Sequence, residues 1–196
     1  MKKIIGVFGP SGGGKSTFCE GLKAYGVSII EADKIGKAIL EQGTLALAQV
    51  AEVFGKEILF PDGSLNRKKL GALVFSNEEA LEKLNQITLP LLEEGMLQEL
   101  EALQGVIAID CALLPQTRLL SLCQERVYIW ADQALQIQRL MKRDGLSKNG
   151  AAQRIETQNA EFSRVATLEI QNNGDLESLK KEAERLYRRM NQDEKE

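Results

Sequence analysis

Short runs rich in Val and Ile recur along the chain at residues 3–8, 27–30, 106–110, 126–130 and 167–170, each set off by Gly, Asp or Asn. Runs this short and this rich in β-branched residues predict buried strands. Between them, residues 15–25, 132–143 and 175–191 carry apolar positions every three or four residues, as in Leu135, Leu140 and Met141, or Leu176, Leu179, Ala183 and Leu186. That spacing predicts surface helices. Strands alternating with helices imply an α/β fold, a five-stranded parallel sheet flanked by crossover helices. One interval breaks the rhythm: from Asp33 to Gly105 no strand is predicted, and the interval is far longer than a single crossover needs. A mostly helical insertion is expected there. Its "FPDGSLNR" at 60–67 contains an Asp-Gly turn, and Pro90 is expected to open a long helix that ends near Gly105.

Composition narrows the picture. With 196 residues, 43% of them hydrophobic, the chain can bury one core and a small inserted subdomain. A net charge of −3 lacks the basic excess that holds nucleic acid or anionic lipid, so neither is an expected partner. No apolar run approaches the ~20 residues of a membrane span, and the apolar run after Lys3 is too short for a signal-peptide core. Three cysteines without CxxC spacing are expected to be reduced and buried, which fits a cytoplasmic protein. The chain has no histidine at all, which excludes histidine bases, histidine metal ligands and Ser-His or Cys-His nucleophiles. Any proton acceptor is then expected to be a carboxylate, and any metal to be held by oxygens.

Directly behind the first predicted strand stands "GPSGGGKST", where Gly9, Gly14, Lys15 and Ser16 match G-x-x-x-x-G-K-[ST] in its required strand-to-helix setting. Such a loop cradles a nucleoside triphosphate, ATP or GTP, with backbone N–H groups of Gly12, Gly13 and Gly14 turned inward and the helix field behind them. Lys15 is expected on the β- and γ-phosphates, Ser16 on Mg²⁺, and Thr17 on a phosphate oxygen. Asp33 follows the second strand at the same sheet edge. There it can take the proton of an attacking hydroxyl, cap a helix over 34–41, or do both. Asp110 ends the third strand and either orients Mg²⁺ or is a solvent-facing strand end. Arg139 and Arg143, one helical turn apart, and Arg154 and Arg164 beyond them suit a lid over the phosphates or a solvated helix face.

Over nearly its whole length the chain resembles the dephospho-coenzyme A kinases. The resemblance rests on "GPSGGGKST", "EADKIG" with Asp33, "DGSLNRKKLGALVF" at 62–75, Leu89-Pro90, "ALL" at 112–114, "QRLMKRDG" at 138–145, "RIETQ" at 154–158 and "NNGDLESL" at 172–179. It implies one P-loop kinase domain in three parts: a core (1–33, 105–143 and 165–191), an acceptor-binding insertion (34–104) and a lid (144–164). It implies transfer of the γ-phosphate of ATP, with Mg²⁺, to the ribose 3′-hydroxyl of dephospho-coenzyme A. Asp33, Lys15 and Arg143 would be catalytic, and Arg139 would join the ATP site. Arg67, Leu113 and Leu114 would join Asp33 on the acceptor. A monomer or weak homo-oligomer is expected. Departures fall on the acceptor side: Leu89 stands where histidine is common, Ala112 to Gln116 where Pro-Leu-Leu-Phe-Glu is common, and Thr167 where aspartate is common. Two alternatives stand beside this reading: a kinase of another small acceptor, such as a nucleoside, a nucleotide or a shikimate-like compound, and a regulatory protein that binds nucleotide without transfer.

Overall fold

The structure is a computed structural model and describes residues 2–156 and 160–192. Its five strands, β1 (Lys3–Phe8), β2 (Ser28–Glu31), β3 (Val106–Asp110), β4 (Glu125–Trp130) and β5 (Leu168–Gln171), form one sheet in the order β2-β3-β1-β4-β5. All four pairings are parallel, as the alternation predicts. Among the described residues the helices are α1 (Lys15–Lys23), α2 (Ala32–Ile39), α3 (Leu45–Phe54), α4 (Arg67–Val74), α5 (Glu78–Ala102), α6 (Gln133–Asp144), α7 (Lys148–Glu156) and α8 (Leu176–Gln192).

Successive strand residues point to opposite faces, so each strand feeds two cores. Ile5, Val7, Ala108, Val127 and Ile129 face α1 and α8, packing on Phe18, Leu22, Leu179, Ala183 and Leu186. Ile4, Phe8, Ile107, Ile109 and Tyr128 face the other way, onto Met96 and Leu100 of α5 and onto Leu114 and Leu119. A third cluster, away from the sheet, gathers Leu40, Ala46, Val50, Ile58, Leu70 and Val74, with Leu81, Leu84 and Ile87 of α5 against it. The long interval between β2 and β3 thus carries a core of its own.

Helix α5 links the two regions and corrects one expectation. Pro90 does not open this helix. Asn77 does, its side chain accepting from the Ala80 N–H at 3.1 Å, and Pro90 lies inside. An internal proline removes one helical hydrogen bond and crowds the preceding turn. Here the helix continues because its two halves are held separately, Leu81 to Ile87 by the satellite cluster and Leu92 to Leu100 by the sheet. The Asp-Gly turn is found as expected: Gly63, at φ 85°, donates to Phe60, and Leu59 bridges Leu65.

The sheet order reverses at β1. In open parallel sheets ligands gather at the strands' carboxyl ends beside such a reversal. Register places Val7 and Glu31 on either side of Asp110, so the loop after β1, the end of β3 and the start of α2 share one edge.

Candidate active site

Residues Gly9 to Gly14 leave β1 and turn into α1, whose N-terminus points at the loop. The need for glycine is sharpest at two positions. Gly9 sits at φ 136°, with the Ile129 carbonyl 2.2 Å from where a Cβ would be, and Gly14 sits at φ 114°, with the Asn172 amide 2.1 Å from its Cβ position. Neither position has room for a side chain. The loop is held from behind by three side chains that take its carbonyls: Gln136 Nε2 donates to Ser11 O (3.3 Å), Arg139 Nη1 to Gly12 O (3.0 Å) and Asn172 Nδ2 to Gly13 O (2.8 Å). Gln136 and Asn172 are buried. Three consecutive carbonyls are thereby occupied from outside. That leaves the loop's inner side for donors.

Several expectations change in detail. The Gly13 N–H is not a free inward donor, because it closes a turn onto Pro10 O at 3.1 Å. Arg139 is committed to two carbonyls, Gly12 O and Asn172 O, so it braces the loop from α6 rather than reaching over the phosphates. Leu114 is fully buried in the core beneath the sheet and cannot line an acceptor site, and Leu113 packs half-buried against the same cluster. Asp33 is not a helix cap. Helix α2 begins two residues earlier than expected, with Glu31 as its N-cap residue, so Asp33 lies within the first turn and is exposed. The cap explanation for its presence therefore falls.

Four charged groups converge at this edge. Lys15 Nζ donates to Gly9 O (2.8 Å) and Pro10 O (3.2 Å). Desolvation pushes its pKa down, while the charges of Asp110 and Asp33 oppose that shift. The Asp110 carboxyl is pushed up, first by burial and further by Asp33 and Glu31, against the pull of Lys15 and of a hydrogen bond from Ser16. That bond, Ser16 Oγ to Asp110 Oδ2, is 3.1 Å long. It sets two hard oxygens side by side, and a magnesium ion, which keeps several waters and shares phosphate oxygens, fits such a pair. Arg143, at the end of α6, feels Asp33 and in turn acts on Lys15, while its guanidinium is held by Asp144. Thr17 lies in the first turn of α1. The buried thiols stand apart from this chemistry, since burial pushes Cys111 and Cys123 up to about 12 and raises Cys19 as well.

Arg67 lies outside that cluster. It starts α4, and its Nη2 donates to Lys37 O at 3.0 Å. Lys37 is four residues beyond Asp33 on α2, about 6 Å of helix rise. A groove of about 720 Å³ opens between α5 and the segment after β3, with Asn85, Gln86, Leu89, Pro90, Gln116 and Arg118 among its lining. Arg118 is presented there by the buried Glu93, which takes its Nε–H. Gln136 and Glu93 are site-shaping residues that lie outside the motifs. Asp144 and Asn172 lie inside "QRLMKRDG" and "NNGDLESL", and it is the structure that gives each its partner. Of "RIETQ", residues 157 and 158 lie outside the described residues.

A family model described as dephospho-CoA kinase matches residues 3–178. A dephospho-CoA kinase of Dehalococcoides mccartyi is 41% identical over 184 residues, covering 91% of this chain and 92% of that one, and one of Listeria monocytogenes is 37% identical over 188 residues, covering 93% and 94%. Among solved structures, the dephospho-CoA kinase from Campylobacter jejuni superposes with a TM-score of 0.67 at 27% identity, covering 97% of this chain and 98% of that one. Shikimate kinase from Acinetobacter baumannii, at TM-score 0.56 and 17% identity over 100% of this chain and 97% of that one, shares the fold. On the span of the match and the identity of its relatives, this chain belongs to the dephospho-CoA kinase family.

Proposed function

We propose that the protein transfers the γ-phosphoryl group of ATP to the ribose 3′-hydroxyl of dephospho-coenzyme A, giving coenzyme A and ADP. The observation that carries the reading is the convergence of Lys15, Asp110, Asp33 and Arg143 on one sheet edge beside a glycine loop whose carbonyls are held outward. Asp33 accepts the proton of the 3′-hydroxyl as that oxygen bonds to the γ-phosphorus, and the bond from the γ-phosphorus to the oxygen bridging to the β-phosphate breaks as ADP leaves. Lys15 and the N–H groups of Gly12 and Gly14 hold the phosphates, and Arg143 meets charge on the transferring group. Ser16 and Asp110 would hold Mg²⁺, which when bound supplies positive charge against the β- and γ-phosphates.

The three-part division fits the same reading. Residues 34–104 have their own apolar cluster, and Arg67, whose guanidinium meets the Lys37 carbonyl about one helical turn beyond Asp33, suits a phosphate of the acceptor. The groove beside α5 offers the amides of Asn85, Gln86 and Gln116 and the apolar Leu81, Leu89 and Pro90 among charged neighbours, and those two kinds of group suit the amide-bearing pantetheine arm. No helix among the described residues is long and apolar enough to cross a membrane, and we place the enzyme in the cytoplasm with its soluble substrates. ADP release coupled to mass analysis of the product tests the reaction. Dephospho-coenzyme A should gain one phosphate at the 3′ position, and ATP binding with no ADP release and no phosphorylated acceptor would support the nucleotide-binding alternative instead.

A further inference from the structure

A set of side-chain contacts runs from Arg143, at the end of α6, to the inserted segment. Asp144, the last residue of α6, takes Arg143 with both oxygens, Nε to Oδ1 at 2.7 Å and Nη2 to Oδ2 at 2.9 Å. Arg154, from α7, donates Nη1 to the same Oδ2 at 2.9 Å. The Arg154 guanidinium in turn lies over the ring of Phe75, 5.1 Å from its centroid. Phe75 ends α4 and packs against the satellite core. At the far end, Arg143 feels the charge of Asp33 and acts on Lys15.

We propose that Asp144 is a positioning residue for Arg143, and that Arg154, stacked on Phe75, ties this positioning to the seating of the inserted segment. A carboxylate that grips a guanidinium through both oxygens fixes its plane as well as its place. Asp144 is shared, so the same carboxylate cannot rotate to follow one arginine without releasing the other. The Asp144 side chain is 24% exposed and that of Arg154 is 28%, so solvent screens this pair less than the helix-surface pairs of α8. The carboxyl of Asp144 is held below its ordinary range, first by the hydrogen bond from Arg143, and therefore stays ionised for both partners. Phe75 supplies the link to the insertion, because a cation over a ring face is attracted only while the ring stays in place. A movement of α4 relative to α7 is thereby felt at Arg143.

The inference rests on the acceptor reading above, and its test separates the two. Steady-state kcat and KM for ATP and dephospho-coenzyme A, with melting temperatures, are measured for Asp144→Asn, Asp144→Glu, Phe75→Leu, Phe75→Tyr, Arg154→Met and the Phe75→Leu/Arg154→Met double variant. Asp144→Asn should lower kcat about tenfold or more, with partial recovery in Asp144→Glu. Phe75→Leu and Arg154→Met should each lower kcat about two- to fivefold, the double should be no worse than the poorer single, and Phe75→Tyr should match the wild type. A folded Asp144→Asn enzyme within twofold of wild-type kcat, or singles whose effects multiply in the double, would overturn the inference. Should the wild type fail to phosphorylate dephospho-coenzyme A, the acceptor reading fails; the same variants are then compared by ATP hydrolysis without acceptor, where Asp144→Asn must still lose activity.

Discussion

The phosphate edge of the sheet and the inserted segment are built on different principles. At the edge, each reactive group hangs from an element whose place the sheet dictates: Lys15 and Ser16 from α1 behind β1, Asp110 from the end of β3, and Asp33 from the first turn of α2 directly behind β2. Parallel pairing fixes their neighbourhood within a residue's register. The insertion has no sheet. Its helices gather around Leu40, Val50, Ile58, Leu70 and Val74, and reach the core chiefly through α5, whose second half packs under the sheet, and through Ile35 of α2, which packs on the same core cluster. A scaffold of the first kind suits chemistry that needs sub-ångström placement, and one of the second kind suits selection of a large and flexible acceptor.

That contrast can be broken from either side, and the largest effect is expected in the loop. Lys15→Ala should bring transfer below detection in a protein that still folds, because Lys15 supplies charge at the β- and γ-phosphates. Its bonds to Gly9 O and Pro10 O mean that the unliganded loop also loosens, so a melting temperature should accompany the rate. Undiminished transfer would remove the phosphate-cradle account. Next comes Asp33→Asn. Since Asp33 is no cap, the change should leave stability and the KM for ATP nearly untouched while lowering kcat about a hundred- to ten-thousand-fold. Loss of stability with intact turnover would assign Asp33 a structural duty. On the insertion side the effect is smaller and of another kind: Arg67→Ala should raise KM for the acceptor about tenfold, with kcat and the KM for ATP little changed. Equal changes in both KM values would show that Arg67 only ties α4 to α2 through Lys37 O.

The same contrast explains what the sequence discloses. All five strands lie within a residue of the ranges that their Val- and Ile-rich runs predict, because each run must be buried on two faces and is too short to be anything else. The loop motif is equally plain, since its glycines answer to local backbone geometry at Gly9 and Gly14. Pro90 misleads because its local effect, which favours a helix start, is overridden by packing on both sides of it. Leu114 misleads for a related reason: a family match places it beside the acceptor, whereas its apolar side chain fills the space beneath Gly6. Arg139 and Arg143, alike in sequence, divide their work because one side chain reaches the carbonyls of Gly12 and Asn172 and the other meets Asp144. Gln136, Asn172 and Glu93 leave little local trace, as their partners lie 125, 159 and 25 residues away.

If the insertion selects a bulky acceptor for chemistry performed at the sheet edge, the size of the acceptor must govern the efficiency of transfer. The most direct test is the ratio of kcat/KM for dephospho-coenzyme A to that for adenosine, measured by ADP release under the same ATP and Mg²⁺. A ratio well above one is expected, because remote contacts along the groove and at Arg67 position the 3′-hydroxyl before transfer. A ratio of one or below would contradict it and leave a kinase of a small acceptor.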